Sequence, residues 1–173
     1  SLGMQRVGDM VERNERFITD MIKSATIMDK AMEILTPLLE SADTGQAGKD
    51  TVVMGLVHGN TQDIGKNIVV LMLKANGFNV IDLGKNVKPE KFVEAAQANH
   101  AVAIGMSVMT NSSVIYAQKT VDLLRKDNTA EDYLLMTGGR AMNKKIASEL
   151  GITYGSDANA AVSLVRQHIA QAI

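Results

Sequence analysis

The sequence contains no cysteine, which excludes disulfides, thiolate metal sites and a cysteine nucleophile, and fits a reducing compartment. Aromatic residues make up 3% of the chain, and 18 Lys and Arg stand against 19 Asp and Glu with no basic run. Nothing therefore suggests the positively charged, aromatic-lined groove of a nucleic-acid binder. No apolar stretch reaches the roughly 18 residues of a membrane helix, and no signal peptide is visible. The expectation is a cytoplasmic protein with neither nucleic acid nor membrane as partner. Common catalytic constellations are missing as well: no paired carboxylates fall into an evident cleft, and no Ser stands in a nucleophile elbow near a His. At 173 residues the chain holds one ordinary domain and a helical appendage.

What is present divides into two parts. Before residue 41, Phe17, Met21, Ala25, Met28, Met32 and Leu35 recur at helical spacing and share one face, which predicts a long amphipathic helix preceded by a shorter one. Residues 41–50, rich in Gly, Ser, Thr and Asp, read as a linker, dividing the chain into a helical segment at 1–44, a connection at 45–50 and a domain at 51–173. In that domain, apolar runs at 51–57, 78–83, 101–107, 133–137 and 152–154 alternate with helical stretches near 65–76, 89–98, 112–126, 142–149 and 157–171. Five strands alternating with five helices predict an α/β fold, a five-stranded parallel, doubly wound, Rossmann-like or flavodoxin-like sheet.

Three short loops follow apolar runs one, three and four: Asn60-Thr61-Gln62-Asp63-Ile64-Gly65, Ser107-Val108-Met109 and Gly138-Gly139. Open parallel sheets bind ligands outside the carboxyl ends of their strands, where strand order reverses. In the order 2-1-3-4-5 these three strands are neighbours, so the loops line one crevice. Gly138-Gly139 lets backbone approach a bulky flat ligand, and Ser107 offers a small hydroxyl to a ring nitrogen or a phosphate.

The loops are separated by 41 residues (66 to 106) and 28 residues (110 to 137). Their types and spacing resemble the cobalamin-binding domains of methionine synthase and of corrinoid methyl-carrier proteins, whose signature is Asp-x-His-x-x-Gly, then Ser-x-Leu, then Gly-Gly at similar gaps. Asn60 stands here for Asp, Gln62 for His and Met109 for Leu. The run Gly65-Lys66-Asn67-Ile68-Val69 is similar to the family's continuation of the first loop, and Tyr154-Gly155-Ser156-Asp157-Ala158 looks like its last pocket loop. The segment from Phe17 to Ala25 resembles part of the helical cap over the upper face of the corrin; that cap is a four-helix bundle, so only a partial, truncated bundle is expected here. The resemblance implies a cobalamin cofactor and a pocket drawn from Phe17, His58, Asn60, Thr61, Gln62, Asp63, Ile64, Gly65, Ser107, Met109, Thr110, Gly138, Gly139, Arg140, Tyr154, Gly155, Ser156 and Asp157. Asp63 is expected either to bond loop or corrin amides or to cap the following helix.

In such proteins the cofactor's own base leaves cobalt, the nucleotide tail enters a slot in the sheet domain, and the motif His becomes the lower ligand, oriented by the Asp. Here both are amides. Gln62 is a poor donor to cobalt and does not titrate near neutral pH. The expectation is a cofactor with neither its base nor a His on cobalt, a state that favours reduction and an easily surrendered methyl group. His58, four positions before Gln62, is the runner-up ligand, though a polar strand-end role suits it better. The implied function is a methyl carrier, non-catalytic alone, between a donor-specific methyltransferase and a tetrahydrofolate-type methyltransferase, kept active by a reductive activase. Methoxylated aromatics, methylamines, methanol and betaines are all candidate donors. The alternatives are a cobalamin sensor or storage module, a mutase cobalamin subunit, or a receiver-like domain without cofactor; the last lacks its acidic cluster after strand one.

Overall fold

The computed structural model describes residues 50–171 without a break and, before them, residues 6, 7, 10, 11, 13, 15–24, 26, 27 and 30. Five parallel strands, β1 (Thr51–Leu56), β2 (Asn79–Asp82), β3 (Ala103–Ser107), β4 (Leu134–Gly138) and β5 (Thr153–Tyr154), form one sheet in the order β2-β1-β3-β4-β5. Helices α1 (Ile64–Ala75), α2 (Pro89–Ala98), α3 (Val114–Lys126), α4 (Lys144–Leu150) and α5 (Ala158–Gln171) make the crossovers. The alternation and the strand order are those expected from the apolar runs.

β1 and β3 are buried along their whole length, which is why they read as unbroken apolar runs instead of alternating ones. Successive side chains point to opposite faces. Val52, Met54, Ala103 and Met136 join Val70, Leu73, Val162 and Val165 of α1 and α5 on one face, while Val53, Ile104 and Leu135 pack with Phe92, Val121 and Ala147 of α2, α3 and α4 on the other. Local signals set the helix ends. Pro89 opens α2, Asn143 caps α4 by accepting from the Ile146 N–H at 2.9 Å, and Gly151 ends α4 in the left-handed conformation.

Residues 18–24 are helical, and the Phe17 N–H donates to Asp20 Oδ2 at 3.2 Å, as in a capping box. Met21 is buried in the cluster of the α1 and α5 face, so its helical periodicity marks core. Phe17 is 79% exposed and is not covered by the sheet domain. Ala25, Met28, Met32 and Leu35, and the connection through residue 49, lie outside the described residues.

One ion pair joins α1 to β2 below the site. Lys66 Nζ, whose side chain is 1% exposed, donates to both carboxylate oxygens of Asp82, at 2.6 and 2.5 Å. A buried ammonium is tolerated only with such a partner. Asp82→Asn should therefore cost about 2–4 kcal/mol of unfolding free energy, read from urea denaturation, and Lys66→Met in the same background should return most of it. An Asp82→Asn protein as stable as the parent would show that Lys66 is satisfied by other means.

Candidate functional site

Strand order reverses between β1 and β3, and the chains leaving them are tied across that point by the Val57 N–H, which donates to Ser107 O at 3.1 Å, and beyond it by one side chain. Asn60 is 2% exposed. Its amide nitrogen donates to the carbonyls of Val57 and His58, both at 3.2 Å, and its oxygen accepts the Met109 N–H at 2.9 Å. All of its strong bonds are thus to backbone, and both donor hydrogens are used. A carboxylate here would face two carbonyl oxygens with no hydrogen to offer. Asn is consequently required by the loop itself, a reason independent of any residue at position 62.

The glycines act on the same architecture. Gly139 has φ 108°, and a Cβ on it would meet the Val108 carbonyl oxygen at 2.3 Å; a Cβ on Gly138 would meet the Gly155 carbonyl oxygen at 2.9 Å. The Gly-Gly pair therefore lets the loops after β3, β4 and β5 pack backbone to backbone. Its first service is to the protein, and any ligand meets a surface those contacts have already shaped. Hydrogen bonds complete the packing, with Val108 N–H donating to Gly138 O at 2.9 Å and Gly155 N–H to Thr137 O at 2.9 Å.

Beneath these loops a cavity of about 360 Å³ runs between the sheet and the α1 and α5 face. Of the residues expected at the site, Gly65, Ser107, Met109, Gly138, Gly139, Arg140, Gly155, Ser156 and Asp157 line it together. Its inner end is formed by Met54, Gly105 and Met136, which the strand register places in one row across β1, β3 and β4. These three were not among the expected residues. A lone glycine inside a fully apolar strand signals close approach of another group, and here the Met54 sulfur occupies the space a Gly105 side chain would need, 2.1 Å from its Cβ position.

The remaining expected residues are arranged around the cavity instead of lining it. Thr61, Gln62 and Ile64 are exposed on the first loop, Ile64 by 66%. Asp63 does not cap α1 with its side chain; it pairs with Lys85 at 3.3 Å, bracing the first loop against the loop after β2. Partial burial works against its ionisation, but the Lys85 ammonium, its own backbone N–H and Asn67 outweigh this and hold the carboxyl below its usual range. Thr110 is exposed and its hydroxyl bonds to Ser113 within the turn before α3. Tyr154 packs against the core of the opposite face. His58 also points that way: its ring meets Tyr116 of α3 edge-on, with centroids 4.7 Å apart, and its buried Nδ1 has no hydrogen-bond partner among the described residues. Asp157 accepts the Ala160 N–H at 2.8 Å and caps α5; that bond, against opposing burial and with help from the Ser156 hydroxyl and the Asn159 N–H, lowers its pKa.

Residues 50–165 match the family model described as "B12 binding domain", and residues 2–36 match a second model of the same description. The chain belongs to the B12-binding family. A corrinoid protein of Desulfitobacterium hafniense is 33% identical over 150 residues, 86% of this chain and 69% of that protein. Monomethylamine corrinoid protein 1 of Methanosarcina acetivorans is 34% identical over 155 residues, 87% of this chain and 71% of the relative. Among solved structures, the methanol:cobalamin methyltransferase complex of Methanosarcina barkeri matches with a TM-score of 0.82 at 27% identity, over 98% of this chain and 62% of that one. A receiver domain of Mycobacterium tuberculosis, at 14% identity and a TM-score of 0.50, shares the fold alone.

The cofactor of this B12-binding chain is thus a cobalt corrinoid, and the residues present fit one. A deep apolar slot opens among glycine-rich loops, and beside Gly105 its floor is filled only by the unbranched side chains of Met54 and Met136, of a type that adapts its shape to what it packs against. Among the described residues no group of three His, Asp or Glu converges as a metal site, and a corrinoid brings its own equatorial nitrogens to cobalt. The loop clamp is open to direct test: Asn60→Asp should lower unfolding free energy by about 1–3 kcal/mol at neutral pH, measured in urea. An unchanged midpoint would mean that the two loops are held by other contacts.

Proposed function

We propose that this protein carries a methyl group on a corrinoid between two methyltransferases, with the cofactor's base in the slot and no histidine beneath its cobalt. The slot among β1, β3, β4, α1 and α5 is the observation that carries this reading. When bound, the corrinoid supplies a cobalt able to accept and release a methyl group; the protein supplies binding, orientation and the choice of lower environment.

The chain's residues divide that work. Met54, Gly105 and Met136 receive the flat base, and Ser107 stands nearer the loops with a hydroxyl for a ring nitrogen or a phosphate. The carboxyl-edge loops form the platform for the ring, with Ile64 and Ile115, 66% and 50% exposed at the starts of α1 and α3, offering apolar surface on either side of the strand-order reversal. Gln62, exposed on the first loop, is the residue nearest in sequence to a lower ligand and offers only a neutral amide. His58 is engaged with Tyr116 on the other face of the sheet, which supports leaving it out of the coordination sphere.

The relatives named for monomethylamine and for methanol methyl transfer favour a donor-specific methyltransferase as the first partner. A tetrahydrofolate-type methyltransferase is the proposed acceptor enzyme and a reductive activase the proposed third partner.

Electron paramagnetic resonance of the reduced cobalt(II) form tests the lower face. The parent protein should show no axial nitrogen splitting, and Gln62→His should introduce it. Splitting in the parent that disappears in His58→Ala would make His58 the ligand; splitting that survives that change would mean a retained base. The carrier role is tested by transfer of labelled methyl from the charged protein to tetrahydrofolate through an added acceptor methyltransferase, which should run to completion within minutes and be absent without the protein.

A further inference from the structure

The slot holds three charged side chains, and two of them are already committed. Lys66 is bound by Asp82 at 2.5 and 2.6 Å. Asp157 holds the Ala160 N–H and the Ser156 hydroxyl, each at 2.8 Å. Arg140 is exposed, lines the slot beside Gly138 and Gly139, and forms no ion pair among the described residues.

Its position is fixed by its neighbours. Gly139 is wedged against the Val108 backbone, Ala141 N–H donates to Val108 O at 3.2 Å, Met142 N–H donates to Gly139 O at 3.0 Å, and Ala141 and Met142 are buried. A long cationic side chain is therefore anchored at the rim of a largely apolar slot, and only its own rotamers have to be ordered on binding. Such a group contributes nothing to a neutral ligand, but a planar guanidinium matches two oxygens of a phosphate.

A complete corrinoid carries one anionic phosphodiester, between the ring's side chain and the ribose that bears the base. With the base at the Met54, Gly105 and Met136 end of the slot, the phosphodiester is left toward the rim. We infer that Arg140 binds this phosphate and makes the protein select corrinoids with an intact phosphate-bearing tail over corrinoids truncated before it. The inference rests on the corrinoid reading and adds to it a residue that sets cofactor specificity.

Equilibrium titration of the whole chain, followed by absorbance and calorimetry, separates the possibilities. Three corrinoids serve as probes: cobalamin, a cobinamide ending in phosphate, and cobinamide itself. Arg140→Ala should bind the first two about 10-fold more weakly and the third unchanged, and Arg140→Lys should recover part of the loss. The loss should shrink as salt is raised. Equal loss for all three, loss for none, or loss confined to cobalamin overturns the phosphate contact while leaving the corrinoid reading intact. Failure of the parent protein to bind any of the three removes the corrinoid reading and this inference with it.

Discussion

The Asn60 side chain spans the point where the chain's path across the sheet reverses. After β1 the chain goes to one side to build β2 and returns to build β3 on the other, so the loops leaving β1 and β3 diverge and a gap opens between them. The ladder closes that gap as far as the Val57 N–H, which donates to Ser107 O at 3.1 Å, and beyond it a side chain has to close it. Asn60 does so through its bonds to Val57, His58 and Met109, and the Gly138-Gly139 backbone then stacks on the second loop at Val108. The floor of the slot follows from strand register, and its rim follows from this clamp. Asp63 with Lys85 and Lys66 with Asp82 brace the first loop and its helix from the β2 side, so the platform is held on both flanks.

The replacement of a family Asp by Asn60 and of a family His by Gln62 takes on a different logic once the bonds are seen. An Asp facing an imidazole and an Asn facing three backbone groups solve different problems. Here position 60 is devoted to joining loops, and position 62 is exposed with no side-chain hydrogen bond among the described residues to orient it. On the proposed reading the two changes are coupled through what the first residue is free to hold, so His at 62 is expected to act on coordination and Asp at 60 on stability.

Much of this was legible before the structure. Continuous apolar runs of strand length between helical stretches could only be a covered parallel sheet, and loop positions relative to those runs put Gly65, Ser107, Gly138 and Gly155 at one edge. Three things were not legible. The slot floor depends on register between strands distant in sequence, so Met54 and Met136 looked like ordinary core, and only Gly105 inside a strand hinted otherwise. The direction of His58 depends on Tyr116, more than fifty residues later in the chain. The role of the Gly-Gly pair was assigned to a ligand because the backbone that crowds it, at Val108 and Gly155, is near only in the folded protein.

The proposed placement of the cofactor's base against the Met54, Gly105 and Met136 floor is the point on which the proposed absence of a lower ligand and the inferred phosphate contact both depend. It is read most directly by nuclear magnetic resonance of protein labelled with carbon-13 in its methionine methyl groups, titrated with diamagnetic cobalt(III) cobalamin and, separately, with cobinamide. Ring-current shifts of the Met54 and Met136 methyls with cobalamin, absent with cobinamide, are the expected result. Binding of cobalamin that leaves both methyls where they were would mean that the base lies elsewhere and that the slot is not its site.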